Sequence, residues 1–441
     1  MNLLLTAISL VLAYLIVARK NIYALFIAMF MMSPAIIVTR IPFAIEFKRW
    51  ITICLILYYI GAHIINRQRF TSYPLKKSLS LMFIGSVILI IFDTRFGLIS
   101  RLLYPFLDAI DIYIVIFFAF FYAKDFKLDK LYKPAAIITV LTVGYGIFNY
   151  ITGSNPIYFL IESAYGNNYS DGQTFERINV KSFCRYTFDF GLNCIFLTLY
   201  FLYLLLTFKR KWTTYILFLL SLVGVFICGS RTIIITAATA IIILIITTLN
   251  LSKSLKIFFT LAFAVLCMYV CLPPVQSMID TTWTSIFTQS SEIEGSSVSM
   301  RQAQLAESLI IWARKPFLGN GFKYIFLELD LKSGNYSTGM FGYESIIYQI
   351  LIERGILGVI LYITFFVSVI FYFIRNKTYR YSSLGLSILF AFIVSAIGTG
   401  PLDSWTNTMI LLGFIISNIE QQKKYGRINN NRQLQYKRTV A

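Results

Sequence analysis

Apolar residues run along the chain in blocks of about 17–25, the length at which an α-helix crosses a hydrocarbon core of roughly 30 Å. The blocks recur from Leu3 to Ile419, and short polar breaks separate them. The pattern predicts an all-α, polytopic integral membrane protein with about thirteen (12–14) transmembrane helices. The spans fall near 2–18, 21–38, 50–66, 78–92, 109–123, 134–151, 183–208, 212–228, 232–249, 257–275, 355–374, 382–398 and 404–419. Residues 93–108 fit a re-entrant or interfacial segment as well as a loop.

Residues 1–419 therefore read as a single transmembrane helical domain, and 420–441 as a basic cytoplasmic tail. Two breaks, 152–182 and 276–343, exceed what a simple connection needs, and function is expected to concentrate there. Within the larger one, a 3.6-residue period divides the stretch after Arg301 into two faces. Arg301, Gln304, Glu307, Ser308, Arg314 and Lys315 share one arc, and Leu305, Ala306, Leu309, Ile310, Trp312 and Ala313 fill the other. Such an amphipathic helix would lie on the membrane surface or over a cavity. Pro316 and Gly319-Asn320-Gly321 end it in a turn.

Composition sharpens this picture. The chain is 58% hydrophobic and only 13% charged, which excludes an arrangement of soluble domains. A net charge of +19 would suggest nucleic acid in a soluble protein. Here the basic residues sit in short breaks between apolar runs, where they set orientation. Strict alternation with a cytoplasmic tail places 24 of the 39 Lys and Arg residues inside, in 19–20, 67–77, 124–133, 209–211, 253–256, 375–380 and the tail. Most of the acidic residues fall on the outer side. No basic region precedes the first apolar run, so the chain's start reads as a first helix rather than a cleavable signal peptide. Six cysteines, mostly within apolar runs and without a CxxC pair, argue against a disulfide framework or metal centre. His63 is the only histidine, which excludes His-based metal ligation and His-dependent triads.

The stretch MRQAQLAESLIIWARKPFLGNGF (300–322), followed by ESIIYQILIERGILG (344–358), resembles the Wzy-like O-antigen polymerase and O-antigen ligase superfamily. Pro316, Gly319 and Gly321 match that family's turn, while Gln349, Leu351, Glu353, Gly355 and Gly358 match the helix that follows. CGSRTIIITAATAIIILI (228–245) is similar to its Ser-Arg signature at the outer end of a helix. The likeness covers roughly the C-terminal half. Counting back from Gly355, Glu344 and Ser345 stand where ligases of the family carry His and Asn, which weakens a ligase reading.

The resemblance implies polymerisation of undecaprenyl-diphosphate-linked repeat units in the outer leaflet of a bacterial inner membrane, without a metal or other cofactor. The alternatives are an O-antigen ligase and a flippase of lipid-linked oligosaccharides. The implied partners are a lipid-linked glycan donor and acceptor, the bilayer and a chain-length regulator, with no nucleic acid. A diphosphate leaving group needs cationic clamps, and an attacking hydroxyl needs a base. The family match gives the clamp role to Arg231 and Arg301, with Arg177 and Arg185 as secondary clamps, and the base role to Glu344. Each has a plainer reading beside it. Arg231 could anchor at the interface, Arg301 could lie on a solvated face, and Arg185 with Asp189 could form an i,i+4 pair. Glu344 could stabilise a helix N-terminus. Glu353, nine residues on, falls on the opposite helical face from Glu344.

Overall fold

A computed structural model describes residues 11–31, 37–39, 45–66, 73–95, 97–124, 126–157, 159, 180–184, 186–208, 212–250, 252–254, 259, 269–270, 276, 280, 298–327, 345–399 and 404–440. Beyond a small antiparallel ribbon, β1 (Ile37–Thr39) with β2 (Ile45–Glu46), the described elements are helices. In chain order they are α1 (Ile22–Met31), α2 (Phe47–Asn66), α3 (Lys76–Ile91), α4 (Leu98–Ile112), α5 (Val115–Tyr122), α6 (Tyr132–Thr152), α7 (Thr187–Thr207), α8 (Trp212–Ile227) and α9 (Arg231–Thr248). They continue with α10 (Val298–Ala313), the single turn α11 (Tyr324–Leu327), α12 (Ile346–Arg375), α13 (Ser382–Thr399) and α14 (Trp405–Val440).

Among the described residues, five helical segments are long and apolar enough to cross a membrane: Leu128–Thr152, Thr187–Thr207, Arg231–Thr248, Ile346–Arg375 and Ser382–Thr399. Shorter apolar helices, Ile22–Met31 and Trp212–Ile227, accompany them. The outward faces fit lipid rather than water. Along α12, Ile356, Ile360, Ile363, Val367 and Phe371 form an exposed apolar stripe at helical spacing, a surface that water would not tolerate. This is a multi-pass membrane protein.

The core is built around α7, buried along almost its whole length and packed by α8, α9 and α13. α14 closes the bundle against α5 and α13, and α12 lies between α3 and α13. Hydrogen bonds gather the connections into two ends. At one end the Tyr122 hydroxyl donates to the Val17 carbonyl (3.1 Å), Gln421 donates to the Ala123 carbonyl (3.1 Å), and Arg380 pairs with Asp129 (3.8 Å). At the other, Asp189 accepts from the Ser404 backbone N–H (2.9 Å) and hydroxyl (2.6 Å), and Asn155 donates to the Ser182 carbonyl (2.9 Å).

Two sequence expectations change. The run 109–123 is not one helix: α4 stops at Ile112 and α5 restarts at Val115, so the pass begins near Leu98 and takes in most of the ambiguous 93–108 stretch. The span expected at 355–374 begins earlier, because α12 runs from Ile346 to Arg375 through one non-helical residue, Gly355 (φ 60°, ψ −161°). α10 keeps two distinct faces, with the apolar one outward. Gln304 and Ser308 are buried against the protein, while Leu305, Leu309 and Ile310 point outward. The tail beyond Ile419 continues α14 as helix.

Candidate functional site

The site is assembled where the turn after α10 meets the break in α12. Pro316 halts α10, and the Trp312 indole N–H donates to its carbonyl (2.9 Å). The turn then runs beside the broken helix like a short strand. Asn320 N–H donates to the Ile352 carbonyl (2.8 Å) and Gly321 N–H to the Glu353 carbonyl (3.0 Å). In return, Ile356 N–H donates to Pro316 (2.9 Å) and Leu357 N–H to Phe317 (3.2 Å). Backbone groups released by a helix break within a membrane are costly unless something re-satisfies them, and here the turn does so. The approach is close. A side chain at Gly319 (φ 75°) would meet the backbone of Glu353 and Arg354, and one at Gly355 would meet that of Phe317 and Gly319. The Asn320 side-chain amide adds bonds to the Ile311 carbonyl (2.9 Å) and the Ile352 carbonyl (3.2 Å).

A second clamp comes from the segment after α3. Arg95 grips Asp93 with two bonds (3.0 and 2.8 Å) and donates to the Phe322 carbonyl (2.7 Å), while Asp93 accepts from Phe322 N–H (3.0 Å). A side chain at Gly321 would collide with this pair. Burial works against the charge on Asp93. The bonds and charge of Arg95, with the backbone N–H of Phe322, outweigh it and hold the carboxyl below the usual carboxylate range.

Between α3, α4, the turn and α12 lies a cavity lined by Ser86, Leu89, Ile90, Asp108, Gly321, Phe322, Glu353 and Arg354, with room for about one water-sized group. Arg354 is buried and committed. It pairs with Asp108 from α4 (2.8 Å), donates to the Tyr362 hydroxyl (2.5 Å), and lies over the Phe322 and Tyr362 rings at 5.1 and 5.2 Å. Glu353 is 4% exposed, and backbone N–H groups of Ile325 and Lys323 donate to its carboxylate. Among the described residues its Oε1 has no hydrogen-bond partner. Also among the described residues, no three His, Cys, Asp or Glu side chains converge on a point where a metal ion could be held.

Arg231 is the first residue of α9, partly buried, after Ser230 in an extended N-cap conformation and Gly229 with φ 73°. Close by, Thr232 packs against Gly398 of α13. Arg301 lies on α10, but its side chain is outside the described residues, as are Glu344, Arg177 and Arg185. The helix expected to open at Glu344 opens one position later. Ser345 is its N-cap, accepting from Ile347 N–H (3.3 Å). Asp189, read beside Arg185 as an i,i+4 pair, has Ser404 as a partner, so it ties the start of α7 to the start of α14.

Sequence reasoning passed over Asp93, Arg95, Asp108 and Arg354. The signal was available in Glu353-Arg354, two charges inside an apolar run, and in Asp108 within an amphipathic one. Ionisable residues at membrane depth mark function by default.

Residues 216–363 match the family model described as O-antigen ligase (Wzy_C). The match takes in most of α8, all of α9 and α10, the turn, and the first part of α12 through the break, so it contains both partners of the clip. It supports kinship with the O-antigen ligase and polymerase superfamily, whose members are glycosyltransferase-like enzymes of O-antigen processing. No curated protein matches the chain.

Proposed function

We propose that the protein polymerises lipid-linked glycan repeats. It would transfer a growing glycan from undecaprenyl diphosphate to a sugar hydroxyl of a second lipid-linked repeat unit at the outer face of a bacterial inner membrane. The observation that carries the reading is the clip itself. The family-matched turn docks on the family-matched helix break, and the cavity they share holds buried Arg354, Asp108 and Glu353. Arg231 and Arg301 are the proposed diphosphate clamps, with Arg177 and Arg185 secondary to them. Without a metal in the scheme, cationic side chains carry the charge that develops on the leaving group. The attacking hydroxyl needs a base, and the family resemblance gives that role to Glu344.

The outer placement rests on charge. The end of the bundle away from the cavity carries the Arg380, Lys423 and Asp129 connections, together with the basic breaks that alternation puts inside. Polymerase is preferred to ligase because Glu344-Ser345 replace the His-Asn pair of ligases. The ligase reading stands second, since the matched family model carries that description. The deciding test is the glycan ladder of cells lacking the protein. A polymerase defect leaves single repeats attached to their final carrier. A ligase defect leaves long chains on the lipid intermediate, and that result would replace the first reading with the second.

A further inference from the structure

Two carboxylates line the cavity, and each has one buried oxygen without a hydrogen-bond partner among the described residues, Asp108 Oδ2 and Glu353 Oε1; Asp108 is held in an ion pair by Arg354, and Glu353 is not. Asp108 is spoken for by Arg354, Arg354 by Asp108 and Tyr362, and Asp93 by Arg95 and Phe322. One side of the Glu353 carboxylate accepts from the backbone at Ile325 and Lys323, which holds the side chain in place. The other oxygen, Oε1, is buried and without a partner among the described residues, and Glu353 lines a cavity sized for a hydroxyl group. What separates the two carboxylates is charge pairing: the Asp108 carboxylate is neutralised by Arg354 at 2.8 Å, which leaves Glu353 as the carboxylate free to take a proton. Leu89, Ile90 and Phe322 make part of the remaining lining apolar, which strengthens any hydrogen bond a donor makes there.

We propose that this cavity is the subsite for the acceptor's nucleophilic hydroxyl, and that Glu353 Oε1 receives its proton. The proposal rests on the transferase reading above. The acceptor O–H bond breaks, and its electron pair forms the new bond to the anomeric carbon. The anomeric C–O bond to the diphosphate breaks, and the diphosphate leaves with that bond's electrons. The proton ends on Glu353. Arg354, held by Asp108 and Tyr362, sits beside the carboxylate and stabilises it for this task.

The test uses purified full-length protein in vesicles with a lipid-linked repeat unit. If wild type does not extend the repeat, the transferase reading itself fails, and this inference with it. With wild type active, Glu353→Gln should lower kcat about 10²–10⁴-fold and leave the KM for the donor unchanged. Glu353→Asp should recover part of the loss. Near wild-type turnover in Glu353→Gln would overturn the assignment, as would a loss confined to Glu344→Gln. A second measurement needs no variant: dicyclohexylcarbodiimide, which modifies carboxyls in apolar surroundings, is applied to wild type and the label is mapped by peptide mass. Labelling of Glu353 in step with lost turnover supports the proposal. Labelling without loss, or loss without labelling there, overturns it.

Discussion

Arg354 and Asp108 come from helices far apart in the chain and meet in the interior at 2.8 Å. A buried pair offsets its own desolvation only while both members are present. Asp108→Asn or Arg354→Met should each cost about 3–5 kcal/mol, because each strands a buried charge or its donors. The double replacement Asp108→Leu with Arg354→Met should cost less than either alone, as thermal unfolding in detergent would report. Asp93 answers to pH. Its carboxyl is held below the ordinary range near 4, so its contribution is complete above that value and drains away as pH falls through the lower folded one. Protease nicking within 314–327 should therefore rise on acidification in wild type, while Asp93→Asn should be nicked at neutral pH and change little. For the proposed clamps, Arg231→Ala and Arg301→Ala should each abolish chain extension at normal expression. Lysine should rescue only in part, since it lacks the bidentate fork. Long polymer from both alanine variants would return these residues to an anchoring role.

At the scale of elements, the decisive feature is the break in α12. Gly355 adopts φ 60° with the turn's backbone against it, so Gly355→Ala combines strain with a collision. It should destabilise by more than ~1 kcal/mol and expose the turn to proteolysis, whereas Gly61→Ala, with open space around it, should not. The sequence made the ingredients of this clip legible: Pro316, Gly319, Gly321 and Gly355 stood out as a turn and a bend. It did not reveal that turn and bend bond to each other, because nothing in local spacing pairs positions that far apart in the chain. The helix wheel of α10 likewise separated the two faces and hid their direction. In a soluble domain the apolar arc would turn inward. Here Leu305, Leu309 and Ile310 are exposed, while Gln304 and Ser308 are buried beside Ile311, which packs with Ile325 and Ile352. Asp108 escaped notice because the break at Tyr113–Ile114 divides its pass into α4 and α5, neither a full-length apolar run.

For the whole molecule, the two ends of the bundle are the testable unit. Ser290→Cys should react with an impermeant thiol reagent added outside intact cells, and a cysteine placed in 420–426 should react only after permeabilisation. The described native cysteines Cys54, Cys184, Cys194 and Cys228 are buried, and Cys267 and Cys271 are replaced by serine in the labelling background. Labelling of position 290 from the cytoplasm would overturn the orientation and the outward-facing site together. Hydropathy was the better guide at this scale: the five described helices long and apolar enough to cross a membrane each overlap an expected span, because lipid imposes a length and a polarity on a crossing. The clip between turn and helix break also has a consequence in time. Residues 316–321 leave the ribosome before residues 352–357, so throughout that interval the turn has no receptor. Its backbone groups must wait in water or headgroups until the first half of α12 has entered the bilayer. Insertion of α12 and docking of the turn thus form one late, coupled event in the birth of the protein. A nascent chain arrested short of Leu357 would carry every residue of the turn and yet present it undocked.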